Sequence, residues 1–160
     1  MARRRSSVFS IRNLALVALL ALAGAAMDPA IIAPRPPLSA PPERVGATFV
    51  RCGQGPGPAC VLTGDTFRMG DRTVRILGIR APSLTEPVCP AEAALAQKSA
   101  DRLTQLLDSG PFDLIAHRFN MQDGDGRDLR LVVRGDTRLG DTLIAEGLAH
   151  RYLGFHRSWC

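Results

Sequence analysis

Four cysteines, Cys52, Cys60, Cys89 and Cys160, constrain this chain more than any other feature, provided that its compartment lets them pair. The N-terminus argues for such a compartment. Arg3, Arg4, Arg5 and Arg12 form a basic region ahead of the apolar run from Leu14 to Ala26, which closes on an Ala23-Gly24-Ala25 cleavage pattern. That is the layout of a secretory signal, and the run is short for a membrane span of ~20 residues. An exported, periplasmic or secreted protein is expected, with residues 1–26 as signal peptide; an uncleaved leader would make them a membrane anchor. In that setting four cysteines read as two disulfides. Three pairings are open. The turn-rich stretch between Cys52 and Cys60 favours that pair, leaving Cys89 with Cys160 to close a long loop worth roughly 4 kcal/mol. The spacings match no common zinc finger or ribbon.

The export signal also explains most of the charge. The chain carries 20 basic and 15 acidic residues, a net charge of +5. Removing residues 1–26 takes away four arginines and no acids, leaving 16 basic against 15 acidic residues. Net charge alone therefore does not argue for a polyanionic partner. All basic residues except Lys98 are arginine, which suits bidentate phosphate contacts.

At 160 residues the chain has room for one ordinary domain plus attachments. Pro29, Pro34, Pro36, Pro37, Pro41 and Pro42 mark residues 27–46 as an extended linker, so the domain is expected over 47–160. Strands are expected at 47–50, 60–62 and 65–69, with Gly70-Asp71 turning the last into a partner over 73–79. There Val74 and Ile76 share one face and Arg75 the other. Pro90 and Glu92 open a helix that Gly110 stops, with an inner stripe of Leu95, Ser99, Leu103, Leu106 and Leu107. Strands follow at 112–119 and 129–134 around a polar turn at 122–127, then a helix over 137–146 ended by Gly147. The pattern is mainly β with helices (α+β) and predicts a small barrel with helices packed on it.

From Val61 to Tyr152 the sequence resembles the staphylococcal nuclease (thermonuclease) family. Thr63-Gly64-Asp65-Thr66 stands where the family has Asp-Gly-Asp-Thr, and Val74-Arg75-Ile76-Leu77-Gly78-Ile79 resembles its arginine-bearing strand. Arg80-Ala81-Pro82-Ser83 stands where it has Asp-[Thr/Ala]-Pro-Glu. Asp123-Gly124-Asp125-Gly126-Arg127 is similar to its Asp-x-Tyr-Gly-Arg turn, and Leu143 to Ala149 to its Leu-x-x-x-Gly-Leu-Ala helix end. The closing Trp159-Cys160 resembles exported, disulfide-bearing members. The resemblance implies an OB-fold, a five-stranded barrel with two or three packed helices. It also implies a monomeric enzyme that hydrolyses DNA and RNA phosphodiesters with calcium.

On that resemblance Arg75 and Arg127 are the catalytic arginines that clamp phosphate, and Asp65 with the Thr66 carbonyl supplies metal ligands. Two positions depart from the family. Arg80 replaces the second metal-ligating aspartate, and Ser83 replaces the glutamate that activates water. A positioned base contributes ~10²- to 10⁴-fold, so hydrolysis is expected to be weak or lost and calcium binding doubtful. Three arginines facing one pocket would instead hold nucleic acid or another phosphate-bearing anion, which makes a non-catalytic binding module of the cell envelope the alternative. Glu86 lies too far along the chain to fill the missing place. His117, His150 and His156 share no metal spacing, and the C-terminal segment reads as solvated. Asp123, Asp125 and Asp128 read as turn formers beside Arg127.

Overall fold

A hairpin organises the domain. In the computed structural model, which describes residues 41–55, 57–116, 122–154 and 157–160, β4 (Thr66–Met69) and β5 (Arg72–Ile76) pair with Phe67 opposite Val74 and Thr66 opposite Arg75. Gly70, at φ 57°, makes the turn between them. Alternation then sends Phe67, Val74 and Ile76 into the core and Arg75 to the other face.

The other strands extend this pair in both directions. They are β1 (Glu43–Val45), β2 (Val50–Arg51), β3 (Ala59–Thr63), β7 (Phe112–Ala116), β8 (Asp128–Arg134) and β9 (Thr137–Arg138). The sheet order is β1-β7-β8-β5-β4-β3-β2, with β9 paired to β8. Pairing is mixed: β2–β3 and β5–β8 are parallel and the rest antiparallel. The sheet curls into half a barrel. A second, two-stranded sheet joins β6 (Ile79–Arg80) to β10 (His150–Arg151). The fold is mainly β with two helices among the described residues, α1 (Pro90–Asp108) and α2 (Leu139–Ala145).

Helix α1 covers the sheet with Ala96, Ser99, Ala100, Leu103, Leu106 and Leu107 buried. Leu95, expected on that stripe, is only half-buried; small alanines at 96 and 100 bring the helix close to the strands. Phe49, Phe67 and Phe112 form the aromatic centre, with ring centroids 5.6 to 6.2 Å apart. Both disulfides follow the favoured pairing, Cys52–Cys60 and Cys89–Cys160. Cys89 is the N-cap residue of α1 and makes no side-chain cap bond, its sulfur being joined to Cys160.

Some boundaries differ from expectation. Glu43–Val45, inside the expected linker, pairs with β7, and Val45 is buried. The strand expected over 73–79 breaks at Leu77-Gly78, where Gly78 adopts φ 84° and redirects Ile79–Arg80 into the small sheet. Thr137 and Arg138 form a strand before the helix, not its first turn. The expected leader, residues 1–26, the linker up to residue 40, the end of the 112–119 strand, His117 and His156 lie outside the described residues. No described helix is long and apolar enough to cross a membrane, and the two disulfides are compatible with an exported protein.

Candidate phosphate site

Asp65 sits in the tight turn between β3 and β4, and the turn is shaped by a close approach. A Cβ on Gly64 would lie 1.8 Å from Ser99 Oγ, 2.6 Å from Ser99 Cβ and 2.9 Å from Ala81 Cβ. Only glycine lets helix α1 and the segment after β6 close on this turn together. Asp65 is consequently buried. Its carboxylate is fully engaged. Thr63 Oγ1 and Thr66 Oγ1 both donate to Oδ1 at 2.9 Å. The Ala81 N–H donates to Oδ2 at 3.2 Å, and Arg75 Nη2 approaches the same oxygen at 3.5 Å.

Parallel pairing of β5 with β8 sets Val74 opposite Asp128 and Arg75 opposite Leu129, which carries the Asp123–Arg127 turn alongside Arg75. Asp123 organises that turn. Its Oδ1 accepts the N–H groups of Asp125 and Arg127, both at 3.0 Å, while its Oδ2 accepts Arg127 Nε at 2.7 Å. Burial alone would raise the Asp123 pKa, but the bonds from Arg127 and Asp125 outweigh it and hold the carboxylate below its ordinary range. Arg75 Nη1 reaches the same Oδ2 at 3.6 Å, so Asp123 tethers both arginines. Arg127 Nη2 also pairs with the exposed Asp125 at 2.6 Å. The two contacts of Arg75, at 3.5 and 3.6 Å, lie at or beyond the limit of a good hydrogen bond. Its guanidinium is held mainly by charge.

Arg75, Arg80, Arg127, Asp65, Thr66 and Ser83 line one cavity of about 370 Å³. The structure thus brings these residues around one space. Ser83 does not stand as a free hydroxyl there: its Oγ accepts the Glu86 N–H at 3.0 Å. Glu86 lines a neighbouring cavity of about 300 Å³, on the other side of Arg80 and Ser83. The nearest buried carboxylate on that side, Glu92, accepts the Ser83 N–H at 3.0 Å and the Val88 N–H at 2.8 Å. Those two bonds, together with the charge of Arg80, lower its pKa.

A third cavity of about 580 Å³ adjoins Arg75 and Arg127 and includes the exposed Tyr152. Of the three aspartates expected as turn formers beside Arg127, Asp123 and Asp125 both pair with it. Asp128 instead pairs with Arg72 and Arg130. The signal that was present is the i, i+4 spacing of Asp123 and Arg127 across a glycine-bearing turn. The C-terminal segment, expected to be solvated, is docked: Trp159 stacks on His150, and Tyr152 N–H donates to Gly78 O at 2.9 Å.

Chemically the central cavity offers three guanidinium groups, the buried Asp65 carboxylate whose oxygens already serve four donors, and the exposed Asp125 carboxylate paired with Arg127. Among the described residues no group of three or more His, Cys, Asp or Glu side chains is arranged to hold a metal ion. No protein-family model matches the chain, and no curated protein is significantly similar to it.

Proposed function

We propose that this protein is an exported, disulfide-braced module on a thermonuclease-like OB-type fold, which grips the phosphodiester backbone of nucleic acid without hydrolysing it. One observation carries the reading: Arg75, Arg80 and Arg127 converge on a single cavity whose buried carboxylate, Asp65, already serves four donors and whose exposed one, Asp125, is paired with Arg127. Guanidinium groups bind phosphate oxygens through paired, charge-assisted hydrogen bonds. Calcium, by contrast, takes six to eight oxygen ligands and several carboxylates. Asp65 and the Arg127-paired Asp125 do not supply them, and Arg80 in the same cavity repels a divalent ion. The donor set therefore does not fit the calcium that the sequence resemblance implies.

The missing base is not replaced by a neighbour. Ser83 Oγ accepts the Glu86 N–H, both oxygens of Glu92 brace backbone N–H groups, and Asp125 is held in an ion pair with Arg127. Water activation needs a carboxylate or imidazole within hydrogen-bond reach of the water. What remains is the half of the site that recognises phosphate.

The test uses purified, disulfide-formed protein with labelled single-stranded DNA. Binding should weaken steadily with salt, as expected for phosphate contacts. Arg127→Ala should reduce it, and calcium should neither improve binding nor produce cleavage. Degradation of the DNA at a rate that rises with calcium and disappears in Arg127→Ala would overturn the proposal.

A further inference from the structure

Residues 150–154 and 157–160 border the arginine site on its two flanks. Tyr152 and Gly154 line the cavity of about 580 Å³ that meets the central one at Arg75 and Arg127. Arg157, Ser158 and Trp159 line the cavity of about 300 Å³ that meets it at Arg80 and Ser83. The segment is tied at four points. His150 and Arg151 pair with Arg80 and Ile79, and the Tyr152 N–H bonds to Gly78 O. Trp159 stacks on His150, and Cys160 is joined to Cys89. Arg157 is therefore carried to the wall that also holds Arg80.

We infer that Arg80 and Arg157 form a second phosphate subsite, kept in place by the Cys89–Cys160 disulfide, so that the site takes a single strand with consecutive phosphodiesters. This rests on the phosphate-binding reading above. Arg80 stands on the wall shared by the two cavities, where one guanidinium faces a phosphate on either side. The acids nearby do not cancel the subsite. Each oxygen of Glu92 is turned onto a backbone N–H, and Glu86 is exposed to water that screens it. Val88, 81% exposed on the rim of the same cavity, offers apolar surface that a sugar or base would cover. A volume near 300 Å³ is at the lower end of ligand-sized clefts and suits one nucleotide, not a folded partner.

The experiment measures fluorescence anisotropy of labelled oligothymidylates of two, four and six nucleotides with the full, disulfide-formed chain. Affinity should rise with length. In Arg157→Ala the gain with length should be lost, leaving the six-nucleotide strand bound about tenfold more weakly than by the unmodified protein. The salt slope for that strand should shrink by about 0.7. Arg157→Lys should restore part of the gain, since a point charge still meets phosphate. Cys89→Ser/Cys160→Ser should lose the same gain, and Arg127→Ala should weaken binding at every length. Binding that needs Arg127 but gains with length equally in Arg157→Ala would overturn this inference and leave the parent reading standing. Absence of binding at any length, or indifference to Arg127→Ala, would overturn both.

Discussion

Trp159 lies flat against His150, with ring centroids 3.7 Å apart and planes 6° from parallel. Burial, and then the charge of Arg157, hold the His150 imidazole below the ordinary histidine value of about 6.5. Folding therefore favours the neutral ring. The stability this contributes is complete above pH ~6.5, where the unfolded chain is also neutral, and falls as the pH drops towards the lowered folded value. Trp159 is the only tryptophan in the chain, so its emission reports on the stack. Imidazolium quenches indole emission more than imidazole does. A quenching transition centred below pH ~6.5, absent in His150→Asn, is the expected result. A midpoint at or above that value would contradict the buried environment.

The two disulfides should differ in what they contribute. Cys52–Cys60 has a sequence separation of 8 and Cys89–Cys160 a separation of 71. In the chain-entropy account these loops correspond to about 2.5 and about 4 kcal/mol. Urea unfolding of Cys89→Ser/Cys160→Ser should thus show a larger loss of stability than Cys52→Ser/Cys60→Ser. The first pair should also unstack Trp159 and shift its emission, while the second should leave the emission in place. Equal losses would mean that the C-terminal segment is held chiefly by the β6–β10 pairing and not by its disulfide.

Much of this was readable from local chemistry. The β4–β5 hairpin rests on alternation across a glycine turn, helix α1 on Pro90 and a leucine stripe, and the disulfide pairing on which cysteines bracket a short loop. The convergence of Arg75, Arg80 and Arg127 could be expected because the first two lie close together in the sequence, on β5 and β6, and the third on a turn with matching motif order. Relationships made by long-range pairing were not readable. Asp123 tethers Arg75 only because β5 and β8 run parallel, and no local pattern announces that register. The docking of residues 150–154 and 157–160 needs the disulfide, the stack and a two-residue strand acting together. Strands of two residues, such as Thr137–Arg138, are too short to carry a period.

Gly64 is the position where a single methyl group should do most damage. Its surroundings are Ser99, fully buried with its Oγ donating to Leu148 O at 2.7 Å, and the buried Ala81. Neither the Ser99 Cβ nor the Ala81 Cβ has freedom to move aside. Gly64→Ala should cost about 3 kcal/mol by overpacking and should displace the Asp65 turn. Adding Ser99→Gly removes two of the three clashing atoms, and the double variant should regain part of the loss despite leaving Leu148 O without its donor. Denaturant midpoints of the four proteins in that cycle check it. Additive losses would show that the crowding at Gly64 is relieved elsewhere.

Arg80 and Ser83 allow a direct test of why calcium does not suit the central cavity. Both line it with Asp65 and Asp125, so Arg80→Asp with Ser83→Glu places four carboxylates around one space and removes a cation from it. Loss of the Ser83 Oγ bond to Glu86 N–H is a modest cost, because Glu86 is exposed. Asp65 still has donors on both oxygens, so binding should be weak, with a Kd near 1 mM at the extracellular end of the calcium range. At tenfold excess calcium the double variant should gain about 1.4 kcal/mol, or roughly 5 °C in melting temperature. The unmodified protein should not respond to calcium. A calcium-dependent rise in the unmodified protein would mean that Asp65 and its neighbours already supply a cation site in spite of Arg80. No rise in the variant would mean that the four donors on Asp65, and not the exchanged acids, keep the cation out. Thr63→Val in the variant background decides that point, because it frees one position on Oδ1 and should then let calcium bind.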